Sequence, residues 1–190
     1  MINKKYTVRY RRIRKQKTDY KTRLKLLLSN TPRLVIRCLT NSVNVQFIEY
    51  TKNGDRIITS SDSNELKKLG WKYSGGNIPA AYLAGYIAGI KAKKAKVKMA
   101  IIDTGLSLVL KKTRIFAAVK GAIDAGIEIP CSKDALPSEE RCFGIDIENY
   151  AKLLLKNKEQ YQKKYSRYLT RNVKPEEIMN NVKKIKDNIK

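Results

Sequence analysis

The sequence predicts a mixed α/β fold: an antiparallel strand meander, then strand–helix–strand–helix layers, with a basic N-terminal arm and a helical C-terminal extension. Three observations predict it. Residues 32–60 alternate apolar and polar side chains with β-branched enrichment, which is the strand period. Two alanine- and glycine-rich stretches of helical length follow. The charge lies at the two ends: residues 1–33 hold 12 basic side chains and 1 acidic, 151–190 hold 12 and 4, and the middle holds 17 and 12. A chain of 190 residues, 42% hydrophobic, can bury a core of its own. The expected division is a basic arm and helix over 1–30, an α/β core over 31–136 and a basic helical extension over 137–190.

The elements follow in order. "PRLVIRCLT" (32–40) and "SVNVQFIEYT" (42–51) read as two strands joined by a tight turn at Asn41, and "NGD" (53–55) turns the chain into a third, "RIITS" (56–60). Leu34, Ile36, Val43 and Val45 are the expected core positions. "SDSNELKKLGW" reads as a short helix with a Ser or Asp cap, ending before Gly70. In "SGGNIPAAYLAGYIAGIKAKKAK" the glycines form a loop, Asn77 caps and Pro79 sits in the first helical turn. Ala81, Gly85, Ala88, Gly89 and Ala92 then share one helix face, expected to lie close on the sheet. "VKMAIIDTGL" reads as a buried strand, "RIFAAVKGAIDAG" as a second core helix with Gly126 at its C-terminal end, and "IEIP" as a short strand. From Ile145 to Leu169, Tyr150, Leu154, Tyr161, Tyr165 and Tyr168 fall near one helical face. Pro175 opens a last amphipathic helix carrying Ile178, Val182, Ile185 and Ile189, whose stripe needs a partner: the domain itself or another macromolecule.

The net charge of +24 calls for a polyanion. The longest apolar stretch, "IPAAYLAGYIAGI", is too short to span a bilayer, and the N-terminus has no apolar leader, so a cytoplasmic protein without a membrane partner is expected. Histidine is absent, which excludes Ser-His-Asp and Cys-His catalysis and every His-based metal site. Three cysteines without a CxxC pair, Cys38, Cys131 and Cys142, suggest neither a disulfide framework nor a zinc knuckle. No cofactor and no small-molecule substrate are expected.

The arm is the first candidate site. Arg9, Arg11, Arg12, Arg14, Lys15, Lys17, Lys21, Arg23 and Lys25 face a single nearby acid, Asp19, and phosphates would neutralise them. Arginine's planar fork suits phosphate and bases, and Tyr6, Tyr10 and Tyr20 are interleaved for stacking on unpaired bases. "RLKLLL" could continue a helix into the core and fix the arm against the sheet. A solvated tail and a nuclear localisation signal are blander readings of the same run, and the second does not account for the basic C-terminal block.

In "GWKYSGGNIPAAY", Trp71, Lys72 and Tyr73 could lie on RNA while the glycines let backbone amides approach phosphate; equally, this is a loop-to-helix connection with Trp71 in the core. It is not a nucleotide-binding fingerprint. "IIDTG" raises an enzymatic alternative, a metal-dependent RNA nuclease using Asp103, with Asp55, Asp124 and Glu128 around Mg²⁺. The bland reading is a strand-end Asp capping its own turn. A third class is a general nucleic-acid compaction protein.

"RRIRKQKTDYKTRLKLLLSNTPRLVIR", "GNIPAAYLAGYIAG", "DTGL", "IFAAVKGAIDAGIEIP" and "EERCFGIDIENYAKLL", in this order, resemble the universal large-subunit ribosomal protein family eighteen, the binder of 5S ribosomal RNA, in its archaeal form. The resemblance runs from Tyr6 to the "KYSRYL" and "KPEEI" segments. It implies a mixed α/β domain whose arm and exposed sheet face bind 5S rRNA and join it to the large-subunit rRNA in the central protuberance, beside other ribosomal proteins including the second universal 5S-binding protein. By position it implies RNA contacts through Arg9, Arg11, Arg12, Arg14, Lys15, Lys17, Tyr20, Arg23, Arg33 and Arg37, with the "GNIPAAY" turn and its Asn77 supporting the fold and the RNA. Cys131 and Asp62 stand where family members often carry His, so contacts made through imidazole do not transfer.

Overall fold

The computed structural model describes residues 7–189; the expectation for Tyr6 lies outside them. Strands β1 (Arg33–Cys38), β2 (Val43–Thr51) and β3 (Gly54–Asp62) form the expected meander. β1 and β2 are joined over Asn41, where Leu39 N donates to Ser42 O. β2 and β3 turn at Lys52–Asn53, with Gly54 at φ 121°, a backbone state that glycine adopts without steric cost. β3 is longer than its apolar run, and its pairing slips by one residue beside Phe47 and Ile48, leaving Ile58 as the bulge.

Helix α3 (Ile78–Lys94) crosses back to β4 (Ile101–Asp103), which lies parallel to β1 and completes a sheet of order β3-β2-β1-β4. Its start is the expected one: Asn77 Oδ1 accepts from Ala80 N at 2.9 Å, with Pro79 in the first turn. Leu34, Ile36, Val43, Val45 and Phe47 are fully buried on the inner sheet face. α3 and α4 (Arg114–Asp124) cover that face.

The glycines of the α3 small-residue stripe, Gly85 and Gly89, meet a helix, α4, rather than the sheet. A Cβ added at Gly85 would stand 2.0 Å from Ala118 O, and one at Gly121 of α4 would stand 2.1 Å from Tyr82 O. Both helices therefore lack side chains at their crossing, and their backbones touch. α3 ends up buried nearly all round, as an apolar helix with no polar face must be.

Two expected strands contract. "VKMAIIDTGL" contributes only three residues to the sheet, with Ile101 and Ile102 half-buried, and "IEIP" makes a single bridge, Met99 to Glu128. At the sheet edge, β4 finds a partner only along β1. "NELKKL" forms a 3₁₀ turn (Glu65–Leu69) closed by Gly70 in the left-handed region; Asp62 caps it indirectly, accepting from Asn64 N.

The C-terminal region breaks into α5 (Glu139–Phe143), α6 (Ile145–Leu154), α7 (Lys158–Leu169) and α8 (Ile178–Asn188), so the stripe read as one helix face over 145–169 is carried by two helices. A 3₁₀ turn over Pro175–Glu177 leads into α8. Ile178, Val182 and Ile185 join the same core as Leu34 and Leu83: the partner of the last helix is the domain itself. Lys186 fastens it further, 5.4 Å from the Tyr82 ring centroid and donating to Tyr82 Oη at 2.9 Å. Among the described residues no helix is long and apolar enough to cross a membrane.

Candidate nucleic-acid interface

The arm folds into a one-turn helix, α1 (Arg11–Arg14), and a second helix, α2 (Tyr20–Leu27). Gln16 enters the left-handed region between them, and Arg12 Nε donates to Thr18 Oγ1 at 2.8 Å across the turn. Asp19 caps α2: its carboxylate accepts from Lys21 N, Thr22 N and Thr22 Oγ1. These bonds, the Thr22 hydroxyl's first, hold the Asp19 carboxyl below the usual range. The arm's one acid is thus spent on a helix cap, while Arg9, Arg11, Arg12, Arg14, Lys15 and Lys17 remain exposed. Tyr20 and Tyr10 pair with each other, ring centroids 5.6 Å apart.

α2 does not enter the core. None of its residues is fully buried, and Leu24 and Leu28 point to solvent. A chain of charges on the outer sheet face ties it down instead. Arg23 Nη2 meets Asp55 Oδ2 at 2.8 Å, Arg33 Nη2 meets Asp55 Oδ1 at 2.8 Å, and Arg33 Nη1 meets Asp103 Oδ2 at 2.8 Å. Arg37 closes the chain on Asp103 through Oδ1 at 3.2 Å and the carbonyl oxygen at 2.9 Å.

Strand register explains the convergence. Asp103 faces Val35, Arg33 faces Ile48, and Asp55 faces Tyr50, so alternation puts all three charges on one face. Burial alone pushes the Asp55 carboxyl up, but hydrogen bonds from Arg23 and Arg33 bring it net below its ordinary value. Between arm and sheet edge lies a polar cleft of about 160 Å³ lined by Arg12, Lys17, Arg23 and Arg37, beside Asp19 and Asp103.

Burial corrects several sequence-level site expectations. Arg33 is 2% exposed and is engaged by two carboxylates, so its guanidinium, though on the outer sheet face, is buried and already paired. Trp71 and Tyr73 are 2% and 3% exposed; Trp71 Nε1 donates to Ser74 O and Tyr73 Oη to Lys174 O. Of the loop residues 71–73, only Lys72 stands in solvent. Asn77 is committed to its cap. Gly75 and Gly76 serve the fold: a Cβ there would meet Asn41 O at 2.8 Å or Thr40 O at 2.6 Å, so the loop lies on the β1–β2 turn. Arg114, which the sequence did not single out, holds both segments by donating to Leu39 O and Gly76 O. Its place at the start of α4, one residue after Thr113, carries no signal of that reach.

The acids read as a possible metal cluster do not form one: Asp55 and Asp103 meet only through the arginine they share, Arg33. Asp103 is held by Arg33 and Arg37, Asp55 by Arg23 and Arg33, and Asp124 accepts from Tyr82 Oη at 2.8 Å. No group of three potential metal ligands forms among the described residues.

A run of ring contacts leads outward from the core: Trp71 to Tyr73 (5.1 Å), Tyr73 to Tyr168 (5.6 Å), Tyr168 to Tyr165 (5.9 Å) and Tyr165 to Tyr161 (5.3 Å). The β4–α4 loop exposes Leu106, Leu108, Val109 and Leu110, next to Lys111 and Lys112.

A buried α/β core that displays an ordered cationic arm, its own acids already occupied, defines a protein built to dock on a polyanion. Known proteins narrow the class. The family described as "Ribosomal large subunit proteins 60S L5, and 50S L18" matches residues 4–100. The chain is 43% identical over 188 residues to "Large ribosomal subunit protein uL18" of Methanococcus maripaludis, covering 99% of this chain and 97% of that one. It is 45% identical over 184 residues to the protein of the same name from Aeropyrum pernix (96% and 86% covered). To that from Thermofilum pendens it is 44% identical over 186 residues (97% and 95%). The chain belongs to the uL18 family of large ribosomal subunit proteins.

Proposed function

We propose that this chain is a non-catalytic constituent of the cytoplasmic large ribosomal subunit that binds 5S rRNA and attaches it to the large-subunit rRNA in the central protuberance. Neighbouring ribosomal proteins, including the second universal 5S-binding protein, complete that site. One observation carries the RNA reading: six exposed cations at Arg9, Arg11, Arg12, Arg14, Lys15 and Lys17, with the nearby Asp19 committed to capping α2. Phosphate is the anion that arginine forks and this density of charge fit best. Arg23 pins the arm through Asp55 and Arg37 ties β1 to Asp103, each leaving part of its side chain in solvent, at 33% and 42% exposure, so both remain reachable by phosphate.

The test is competition for 5S rRNA by equal masses of tRNA and duplex DNA at about 150 mM salt, where nonspecific attraction to phosphate is weakened. A preference for 5S rRNA of about a hundredfold or more supports the reading, and equal binding to all three makes the chain a general nucleic-acid compaction protein. The nuclease alternative loses its footing where Asp103 is already the partner of two arginines.

A further inference from the structure

A cleft of about 590 Å³ opens between α6 and α7, on the side of the molecule built by the C-terminal region. Its lining is mostly aromatic and apolar: Ile147, Tyr150, Tyr165 and Tyr168. Tyr165 and Tyr168 form its inner wall as a stacked pair with an interplanar angle of 21°, backed by Tyr73. Tyr165 also leaves helical geometry (φ −104°, ψ 17°) in the middle of α7, and this kink accompanies the turn of its ring into the protein. Tyr150, 47% exposed, is the wall that faces solvent.

Lys164 and Arg167 stand at the rim, both exposed, and neither makes an ion pair or side-chain hydrogen bond among the described residues. The acid at the lip, Asp146, lies 3.8 Å from Arg141. Glu148, on the same helix, is held by Lys152 at 2.7 Å.

We infer that this cleft is a second RNA site, which takes one unpaired nucleobase against Tyr150 while Lys164 and Arg167 hold the phosphates on either side of it. The inference rests on the RNA-binding reading above and deepens it. A planar heteroaromatic ring fits a slot walled by tyrosines, and stacking on an aromatic side chain is tolerant of sequence because every base has a π-face. An aliphatic side chain from a protein partner would leave the two rim cations without counter-charge, in a segment where 12 basic residues already face 4 acidic ones over 151–190. A flanking nucleotide supplies apolar ring and negative charge together.

The test uses the full chain and two single-stranded RNA hexanucleotides, one carrying 2-aminopurine at a central position and one abasic at the same position. The wild-type chain quenches the 2-aminopurine and binds the abasic strand about tenfold more weakly, in the range of one base stack. Tyr150→Ala abolishes both the quenching and the discrimination, with Trp71 emission unchanged as the check on folding. Leu153→Ala, exposed on α6 outside the cleft, leaves both intact. Lys164→Gln/Arg167→Gln lowers the slope of log affinity against log salt by about 1.4, two single-strand phosphates. Equal binding of the two strands by the wild type overturns the inference, as does undiminished discrimination in Tyr150→Ala. Displacement of the 2-aminopurine strand by a leucine-rich peptide, with no abasic penalty, would make the cleft a protein-docking groove instead. Salt-dependent preference for 5S rRNA is measured in parallel. If that preference persists while base and abasic strands bind alike, the cleft alone is refuted; if it is absent, the ribosomal RNA reading falls on its own evidence.

Discussion

Asp103→Ala tests whether the charges on the outer sheet face are structural. The Asp103 carboxylate receives Arg33 Nη1 at 2.8 Å and Arg37 Nη2 at 3.2 Å, and it also accepts from Gly105 N at 2.9 Å. Arg33 is 2% exposed, so its charge cannot turn to water when the partner is removed. Breaking a buried pair by deleting one member costs about 3–5 kcal/mol. Here Asp55 stays at 2.8 Å from Arg33 and still compensates it. The expected loss is therefore at the lower end, about 3 kcal/mol. For a chain of this size that corresponds to a fall in Tm of about 6–12 °C.

The assay is thermal and urea unfolding followed through the one tryptophan, Trp71, which is buried in the core. The double variant Asp103→Leu/Arg33→Met removes both charges and fills the space with apolar groups, so most of the loss is expected to return, with a coupling of about 2 kcal/mol. A loss below about 1 kcal/mol in Asp103→Ala, or additive effects in the double variant, would refute the argument and leave Asp103 free for another role.

Gly85→Ala places a methyl 2.0 Å from Ala118 O, so α3 and α4 must part; a loss of about 3 kcal/mol is expected in urea unfolding, and a change within about 0.5 kcal/mol would contradict the backbone contact. Burial pushes the phenols of Tyr73, Tyr161 and Tyr165 up to about 12, aided by Glu177, Glu176 and neighbouring tyrosines respectively. Unfolded phenols ionise near pH 10, so this contribution is complete below about pH 10 and is lost as pH rises through about 12, visible as a falling urea midpoint. The Asp55 carboxyl lies below its unfolded value, so its contribution is present above about pH 4 and is lost on acidification; Asp55→Asn should flatten the acid limb of stability. Removing residues 1–25 should abolish most of the salt dependence of RNA binding, whose slope is expected at about −4 to −7 for six to eight phosphates; an unchanged slope would show that the arm is not the anchor.

Local chemistry was legible in the sequence wherever one residue decides the outcome. Asn77 with Pro79 fixed the start of α3, Gly126 the end of α4, and strand alternation the meander and its inner face. What the sequence hid was the identity of the covering partner. The Ala/Gly period marks a face of close approach without saying whether a sheet or a helix lies on it, and the answer depended on Gly121 and Ala118, more than thirty residues away. Arg33 reads like its arm neighbours, and only the cross-strand register brings Asp55 and Asp103 to it. Trp71 and Tyr73 sit in a loop rich in turn residues, yet both are buried: Trp71 packs on Tyr73, and Tyr168 of α7 packs on Tyr73 in turn. Arg9 to Lys17 was readable as a cationic surface from density alone, since no fold can bury so many like charges beside one acid.

The exposed leucines of the β4–α4 loop give the net charge of +24 a second consequence, a colloidal one. Free copies of the chain repel one another at low ionic strength, which keeps Leu106, Leu108 and Leu110 of different copies from meeting. Under the proposed RNA-binding role, the salt that would release RNA from the arm also shrinks the Debye length, to about 3 Å at 1 M, and removes that repulsion. At high salt the free chain is therefore the form most inclined to cluster through this loop.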